Sequence, residues 1–268
     1  MPPATDGQEM GEAAMAELAI NTDTSGVATI AMRDPAGRNA FDAPLRAALA
    51  EAFTALFADP AVAAIVIGAE TGNFSVGGNL AQLFEYQPGQ DGYRVMKSAH
   101  ELPALLARSD KPVIAAIGGY CMGAGAGLAL LCDTIVIGRS GAIGFPFVKL
   151  GLVPDCGCSW TLARRIGPAA ARQALMRAHT FQADEAMATG LADALVDDDA
   201  VWSHARERAA ELAAMPAQAL AQLRTMLRHD QAQLLAALEA EALNQAICFG
   251  SPDLQARIAA FRSKAGRN

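Results

Sequence analysis

The chain has 268 residues, of which 52% are hydrophobic and 18% are charged. A chain of this length and composition can bury a substantial core without disulfides or metals, which excludes an intrinsically disordered protein. The formal net charge of -7, with no cluster of Lys or Arg to override it, excludes nucleic acid as an expected partner.

The N-terminus and the cysteines indicate the compartment. Residues 1–15 contain acidic residues and no apolar stretch typical of a signal or transit peptide, so we expect a disordered arm on a cytoplasmic protein. The five cysteines form no CxxC pair, which predicts reduced thiols. Cys156 and Cys158 lack a second pair to complete a tetrahedral shell, so we expect them to pack in the core and expect no metal site.

The first half of the chain alternates predicted strands and helices. Alternating apolar and polar residues predict a hairpin from Glu17 to Asn21 and Val27 to Met32. A helix is expected from Ala43 to Phe57, with Asp42 as its cap. Short apolar runs predict buried strands at Ala64 to Gly68, Val113 to Ile117 and Thr134 to Gly138.

The segment from Pro112 to Cys132 contains no charge over 21 residues, which is long enough for a membrane-spanning helix. Five glycines interrupt it, and its first part, VIAAI, is typical of a buried strand. The segment therefore predicts a strand, a glycine turn and a buried helix, and we expect no membrane association.

Beyond Trp160 the pattern becomes helical. Helices are predicted at Leu162 to Met176, Ala183 to Thr189, Val201 to Ala214, Ala217 to Leu227 and Gln231 to Phe249. An apolar stripe in the helix from Val201 indicates core or a subunit interface; it comprises Trp202, Ala205, Ala209 and Leu212. These patterns predict an α/β core domain over residues 16–200 and a helical C-terminal region over residues 201–268.

Two glycine-rich loops carry the candidate chemistry, namely Gly72 to Leu80 (GNFSVGGNL) and Gly118 to Leu130 (GGYCMGAGAGLAL). Each follows a predicted buried strand and opens a helix, where backbone N–H groups have no helical partner. Two such turns facing each other would bind a negatively charged oxygen. The alternative is that the glycines only make tight turns.

Two other functions fit the loops poorly. The GAGAG run lacks the GxGxxG spacing of a dinucleotide site, because Leu128 occupies the third glycine position. Ser75 is not in a GxSxG motif, because Asn73 stands where glycine is needed. A serine hydrolase also needs a histidine base, whereas all four histidines fall in predicted helices and are expected at the surface; they are His100, His179, His204 and His229.

From about Glu17 to Phe261 the sequence resembles the enoyl-CoA hydratase/isomerase, or crotonase, superfamily. The resemblance rests on ordered motifs: RNAFD (residues 38–42), FSVGGNL, KPVIAAIGGYCMGAGAGLALLCD and KLGLVPDCG. It implies an α/β crotonase spiral of ββα units with a C-terminal helical trimerisation region. It also implies an acyl-CoA thioester as substrate, no further cofactor, and a homotrimer or a dimer of trimers.

The resemblance assigns roles to individual residues. The oxyanion-hole N–H groups fall on Gly78 and Ala124, which would polarise the thioester carbonyl and stabilise an enolate. The implied substrate-binding residues are Arg38, Ala40, Val76, Gly77, Asn79, Leu80 and Gly123. Asn79 departs from the family, which usually has an acid at that position, and this departure affects the support of the first loop.

The family hydratases use two glutamates to hold and activate water, and here their positions fall on Gly127 and Phe147. Neither side chain can transfer a proton, so hydration of the ordinary type is not expected. Asp155, after Val-Pro, remains and resembles the catalytic acid of the isomerases, with the 1,2-epoxyphenylacetyl-CoA isomerase branch of phenylacetate degradation closest in motif. One carboxylate is sufficient to move a double bond.

Alternatives stay open at this point. Asp155 can instead cap the helix beginning near Gly157, and a helix start and burial would shift the pKa of Asp155 in opposite directions. Enoyl-CoA hydratase is the second candidate function. A third is a 4-chlorobenzoyl-CoA dehalogenase-like enzyme with Asp155 as nucleophile, although those enzymes have tryptophan where Phe147 stands. A fourth is an acyl-CoA-binding protein without catalysis.

Overall fold

The computed structural model describes residues 17–79, 90–227 and 231–265. Within these ranges the strands are β1 (Glu17–Thr22), β2 (Val27–Arg33), β3 (Ala64–Ala69), β4 (Val113–Ile117), β5 (Tyr120–Met122), β6 (Thr134–Gly138), β7 (Ala142–Gly144), β8 (Thr180–Gln182) and β9 (Ala194–Val196). The expected arm over residues 1–15 lies outside the described residues, as do Leu80 and His229.

The described strands form two sheets. The larger has the order β1-β2-β3-β4-β6-β9, and the smaller has the order β5-β7-β8. The predicted hairpin β1–β2 is confirmed, and its turn is held by Asp23, whose Oδ1 accepts the N–H of Ser25 at 2.8 Å and of Val27 at 3.1 Å. From β2 to β9 the larger sheet is parallel. Every residue of β3 and β4 is buried, as expected for parallel strands covered on both faces.

The helices cover both faces of the larger sheet. They are α1 (Ala43–Ala58), α2 (Gln90–Ala99), α3 (Glu101–Leu106), α4 (Ala124–Leu130), α5 (Cys158–Ile166), α6 (Pro168–Met176), α7 (Ala183–Ala188), α8 (Val201–Ala213), α9 (Ala217–Leu227), α10 (Gln231–Phe249) and α11 (Pro252–Ala265). The cap predicted for α1 is confirmed, since Asp42 Oδ1 accepts the N–H of Leu45 at 3.0 Å.

Helix α8 contains the predicted apolar stripe and packs on the larger sheet. Ala205 and Ala209 are fully buried against a cluster that includes Val66 and Ile114. The indole N–H of Trp202 donates to the carbonyl of Ala69 at 2.9 Å. The stripe is therefore core, and the division at residue 200 stays a prediction.

One predicted helix was wrong in its extent. The segment from Leu162 to Met176 is two helices, α5 and α6, because Gly167 adopts a φ of 82° and Pro168 begins the next helix. Proline lacks the N–H that a continuous helix requires. Helix α5 begins at Cys158, before the predicted Leu162 and next to the start near Gly157 considered for a cap by Asp155.

The uncharged segment from Pro112 folds into the predicted strand β4 and the predicted buried helix α4, and the predicted glycine turn between them also contains the short strand β5. Of the helices in the described ranges, none combines the length and the apolar character needed to span a bilayer. The cytoplasmic location stays a prediction.

Candidate active site

The two glycine-rich loops lie against each other, as the sequence predicts. Gly77 adopts a φ of +90°, and a Cβ at that position would lie 2.9 Å from the Met122 carbonyl oxygen and 3.7 Å from Gly123 Cα. Gly123 adopts a φ of +53°. Side chains are disfavoured at both residues, because these φ values are rare for other residues and the two backbones approach closely.

Each loop contains a predicted oxyanion-hole donor, the N–H of Gly78 in the first loop and the N–H of Ala124 in the second. Ala124 is the first residue of α4, so its N–H has no acceptor within the helix. Within the described part of the chain, neither the Ala124 N–H nor the Gly78 N–H has a hydrogen-bond acceptor. The predicted donors are therefore available to a ligand.

Hydrogen bonds from residues 38–42 hold the first loop. The N–H of Phe41 donates to the Gly77 carbonyl at 2.8 Å, and the N–H of Val76 donates to the Arg38 carbonyl at 2.9 Å. Ser75 is buried; its hydroxyl donates to the Asn39 carbonyl at 2.7 Å and accepts the Gly77 N–H at 3.1 Å. Ser75 thus supports the loop, which agrees with its exclusion as a nucleophile.

A cavity of about 390 Å³ opens beside the two loops. The predicted site residues that line it are Arg38, Ala40, Val76, Gly77, Gly78, Asn79, Gly123, Ala124 and Asp155. Four further residues line the cavity without a predicted binding role, namely Pro146, Phe147, Leu150 and Leu152. These four belong to or shortly precede the motif KLGLVPDCG, in which Asp155 was the residue with a predicted role.

A tight turn presents Asp155 to this cavity. The two residues after it, Cys156 and Gly157, adopt positive φ values of 53° and 80°. A buried non-glycine residue in this conformation is strained and must be held by its surroundings. The residue Asp155 is half-buried, whereas its Oδ1 atom is fully buried and has no hydrogen-bond partner among the described residues.

Burial, followed by the negative charge of Glu241, raises the pKa of Asp155 to about 7. The positive charge of Arg46 and the neighbouring Cys156 thiol oppose this increase. The pKa thus lies in the range where a carboxyl group both accepts and returns a proton at neutral pH.

The alternative role of Asp155 as a helix cap is wrong. Its side chain makes no capping bond to α5; only its backbone carbonyl accepts the Cys158 N–H, at 3.0 Å. The carboxylate that caps α5 belongs to Glu241, which accepts the N–H of Gly157 at 2.8 Å and of Ser159 at 2.9 Å. Glu241 could not be predicted from the sequence, because no local signal connects its helix with the turn at Asp155.

The two positions of the hydratase glutamates have different environments. Phe147 is 5% exposed and lines the cavity. A side chain at Gly127 has no room, because a Cβ there would lie 2.6 Å from Cys156 Cβ and 3.1 Å from Cys158 Sγ. Neither position supplies a carboxylate to the cavity.

The expectation for the histidines was partly wrong. His100 is 5% exposed in the turn between α2 and α3, and burial lowers its pKa to about 4. Its Nε2 lies 3.9 Å from Glu241 Oε2, which for a neutral imidazole is proximity and not an ion pair. His179 is partly exposed but lies in the turn before β8, while His204 lies in α8.

The cysteines are free, as predicted. Cys156 and Cys158 are buried, and burial raises the pKa of both thiols well above the usual value. Over residues 17–79, 90–227 and 231–265, we find no group of three or more His, Cys, Asp or Glu side chains that could hold a metal ion.

Comparison with known proteins identifies relatives over most of the chain. The sequence profile of the Enoyl-CoA hydratase/isomerase family matches residues 22–266. The chain is 30% identical to the 1,2-epoxyphenylacetyl-CoA isomerase of Escherichia coli (strain K12), over 93% of this chain and 97% of that protein. It is 31% identical to the 4-chlorobenzoyl coenzyme A dehalogenase-2 of Arthrobacter sp, over 91% of this chain and 90% of that protein.

The same likeness extends to solved structures. The crystal structure of an enoyl-CoA hydratase from Mycobacterium avium subsp. paratuberculosis K-10 matches with a TM-score of 0.81 and 26% identity, covering 92% of this chain and 96% of that chain. This match confirms the predicted crotonase fold.

Proposed function

Because the chain belongs to the enoyl-CoA hydratase/isomerase family of acyl-CoA enzymes, we propose that it isomerises an unsaturated or epoxidised acyl-CoA with Asp155 as acid/base. One observation carries the proposal. Among the described residues that line the cavity, Asp155 is the one with a carboxylate, and the two hydratase glutamate positions hold Gly127 and Phe147. A single carboxylate suits proton transfer between two carbons better than activation of water.

The proposed reaction begins with the thioester oxygen on the N–H groups of Gly78 and Ala124. Asp155 removes a proton from the carbon next to the carbonyl, and the electron pair moves onto the thioester oxygen as an enolate. The two N–H donors stabilise this negative charge by about 3 kcal/mol each. Asp155 then returns the proton to the γ carbon, which shifts the double bond and leaves the carboxylate as it began.

The cavity also favours an acyl-CoA. Arg38 is exposed where it lines the cavity and offers a positive charge to the CoA phosphates. Phe147, Leu150 and Leu152 supply an apolar surface for the acyl group. The reaction we propose needs no further cofactor.

Association into a homotrimer, or a dimer of trimers, is part of the proposal. Large apolar side chains are exposed on the C-terminal helices, at Met226 and Leu227 of α9 and at Leu243 and Ile247 of α10. Exposed apolar surface of this kind favours subunit contact. Sedimentation analysis of the purified chain would measure the assembly.

The test is conversion of a 3-enoyl-CoA to the 2-enoyl-CoA by the unchanged protein and by Asp155→Asn. We expect the variant to lose at least about 100-fold in kcat, because an amide cannot carry the proton. The matched control is Asp199→Asn, which alters an exposed carboxylate and should leave kcat unchanged. Equal rates for the unchanged protein and Asp155→Asn would remove Asp155 from the mechanism.

Two further outcomes lead to different functions. Rapid addition of water to a 2-enoyl-CoA, without isomerisation, would replace the proposal with a hydratase. Binding of acyl-CoA without any turnover that depends on Asp155 would indicate a binding protein.

A second candidate is dehalogenation with Asp155 as nucleophile. It is favoured by the unpartnered, buried Oδ1 of Asp155 together with the 31% identity to the Arthrobacter dehalogenase. The carboxylate would displace chloride from an aromatic carbon to form an aryl ester, which water then hydrolyses. Chloride release from 4-chlorobenzoyl-CoA measures this reaction, and its absence would eliminate this candidate.

A further inference from the structure

The start of helix α5 needs acceptors that its own cap residue does not supply. The first N–H groups of a helix have no partner within it, and Ser, Thr, Asp or Asn at the cap normally accepts one of them. The cap residue here is Gly157, which has no side chain, and Asp155 makes no side-chain bond to α5. The acceptors must therefore come from elsewhere in the chain.

Glu241, in the middle of α10, supplies them. Its Oε2 accepts the Gly157 N–H at 2.8 Å, and its Oε1 accepts the Ser159 N–H at 2.9 Å and the Ser159 hydroxyl at 2.6 Å. Glu241 is only 4% exposed. A buried carboxylate with three donors is firmly fixed, so it holds the chain immediately after Asp155.

Gln245, one turn further along α10, holds the chain before Asp155. Its Oε1 accepts the Val153 N–H at 3.0 Å, and its Nε2 donates to the Val153 carbonyl at 3.2 Å. Gln245 is also buried. Two side chains on one face of α10 thus fix Val153 and Gly157, the residues two positions before and two positions after Asp155.

We propose that Glu241 and Gln245 are positioning residues for Asp155, which hold both ends of its turn and free its carboxylate from helix capping so that it faces the substrate. The proposal rests on the function proposed above, in which Asp155 transfers the proton. It extends the site to α10, which contributes no residue to the lining of the 390 Å³ cavity among the described residues. The C-terminal helical region then sets the geometry of the reacting group.

Glu241 also acts on Asp155 through its negative charge. After burial, this charge is the largest cause of the raised pKa of Asp155. Removal of the charge should therefore lower the pKa of Asp155, whereas loss of the uncharged Gln245 should not. The effects of Glu241 and Gln245 can therefore be distinguished by the pH dependence of kcat in their variants.

Other ionisable groups face this cluster and remain in place in both variants. Arg46 of α1 lowers the pKa of Asp155, and His100 lies 3.9 Å from Glu241 in neutral form. The remaining groups around the turn are Asp42, Cys156 and Cys158. The expected difference between the two variants thus arises at residue 241.

The experiment compares Glu241→Gln and Gln245→Leu with Asn244→Ala, an exposed neighbour on the same helix, as control. The pH dependence of kcat and of KM is measured for isomerisation of a 3-enoyl-CoA, with thermal unfolding to verify the fold. At low pH kcat falls as Asp155 becomes protonated, and we call this part of the pH profile the acidic limb. Glu241→Gln should shift the acidic limb to lower pH by roughly one unit. Gln245→Leu should lower kcat roughly 10-fold or more without moving that limb, and KM should change little.

Several results would overturn the positioning role. Unchanged kcat and an unmoved acidic limb in both folded variants would show that the contacts are only structural, as would a loss of stability alone. If Glu241→Gln fails to fold, Gln245→Leu alone still tests the proposal. Retention of the full kcat by Gln245→Leu would contradict the positioning role. Asn244→Ala should match the unchanged protein throughout.

The outcome also separates this proposal from the proposed function. If Asp155→Asn retains full activity, the proposed function fails first, and the positioning role fails with it. If Asp155→Asn is inactive while Glu241→Gln and Gln245→Leu retain the unchanged profile, only the positioning role fails.

Discussion

Gly127 faces Cys156 so closely that a Cβ on the glycine would lie 2.6 Å from the cysteine Cβ. Cys156 is fully buried and adopts a φ of 53°, and it is the neighbour of Asp155. The absence of a side chain at Gly127 is therefore linked to the shape of the turn that presents Asp155. A glutamate at this position cannot be added without moving that turn.

Gly127→Ala should destabilise the protein, because the added methyl overfills a packed region. We expect a loss of about 1–3 kcal/mol in the free energy of unfolding, measured by urea denaturation. The control is Gly118→Ala, since the nearest atom to a Cβ there is the Gly72 carbonyl oxygen at 3.8 Å. Equal stability of the two variants would contradict the close packing at Gly127.

Gly77→Ala should move apart the two glycine-rich loops that carry the oxyanion-hole donors. The added Cβ would lie 2.9 Å from the Met122 carbonyl, and the φ of +90° is unfavourable for alanine. Misplacement of the Gly78 N–H removes an oxyanion donor, which typically costs about 100- to 1,000-fold in kcat. The measurement is kcat on a 3-enoyl-CoA, and a change below about threefold would show that the loop tolerates the side chain.

The two glycine-rich loops could be predicted from the sequence because their backbone conformation requires glycine. Gly77 and Gly123 have positive φ values and touch across the site, and few other residues allow this. The lone carboxylate could be predicted from the residues around Asp155. Its helix-capping alternative could not be excluded, since the acceptor is Glu241, which lies 84 positions after Gly157.

The errors also have physical causes. His100 was expected at the surface because it falls in a predicted helix, but tertiary packing buries it near Glu241. The break at Gly167 and Pro168 was present in the sequence as a Gly-Pro pair, a known helix terminator, and the apolar pattern on both sides obscured it. Local patterns specify turns and strands well, whereas contacts between distant segments require the folded chain.

His100→Leu should alter the pH dependence of stability. Burial lowers the pKa of His100 from 6.5 to about 4, so the unfolded chain takes up a proton before the folded chain does. The fold is therefore favoured above pH 6.5, and this contribution is lost as the pH falls to 4. We expect the variant to lack this decrease, which amounts to about 3 kcal/mol in urea titrations between the two pH values. Parallel stability curves for variant and unchanged protein would refute the assignment.

Asp155→Asn should change stability in the opposite sense. The pKa of Asp155 is raised to about 7, so its contribution to stability is present below pH 3.8 and is lost as the pH rises through 7. Relative to the unchanged protein, the variant should gain up to about 4 kcal/mol between pH 4 and pH 8. Unfolding measured at these two pH values gives the difference, and a relative stability independent of pH would contradict the burial of the carboxyl group.

Asp133→Ala should be destabilising, because it leaves the buried Arg224 guanidinium without its carboxylate partner. Arg224 of α9 is 6% exposed and pairs with Asp133, whose Oδ2 also accepts the Val113 N–H at 2.8 Å. The Asp133 side chain is 35% exposed, so the loss should be smaller than for a pair with both partners buried; we expect about 1–3 kcal/mol, measured by urea denaturation. The control is Glu70→Ala, which removes an exposed pair with Arg33 and should cost at most about 1 kcal/mol.

The double variant Asp133→Ala/Arg224→Met tests the cause of that loss. If the uncompensated guanidinium is responsible, its replacement by an apolar side chain should recover much of the stability lost in Asp133→Ala. If the hydrogen bond to the Val113 N–H is responsible, the double variant should be no more stable than Asp133→Ala. Simple additivity of the two single changes would likewise show that Asp133 and Arg224 do not act as a pair.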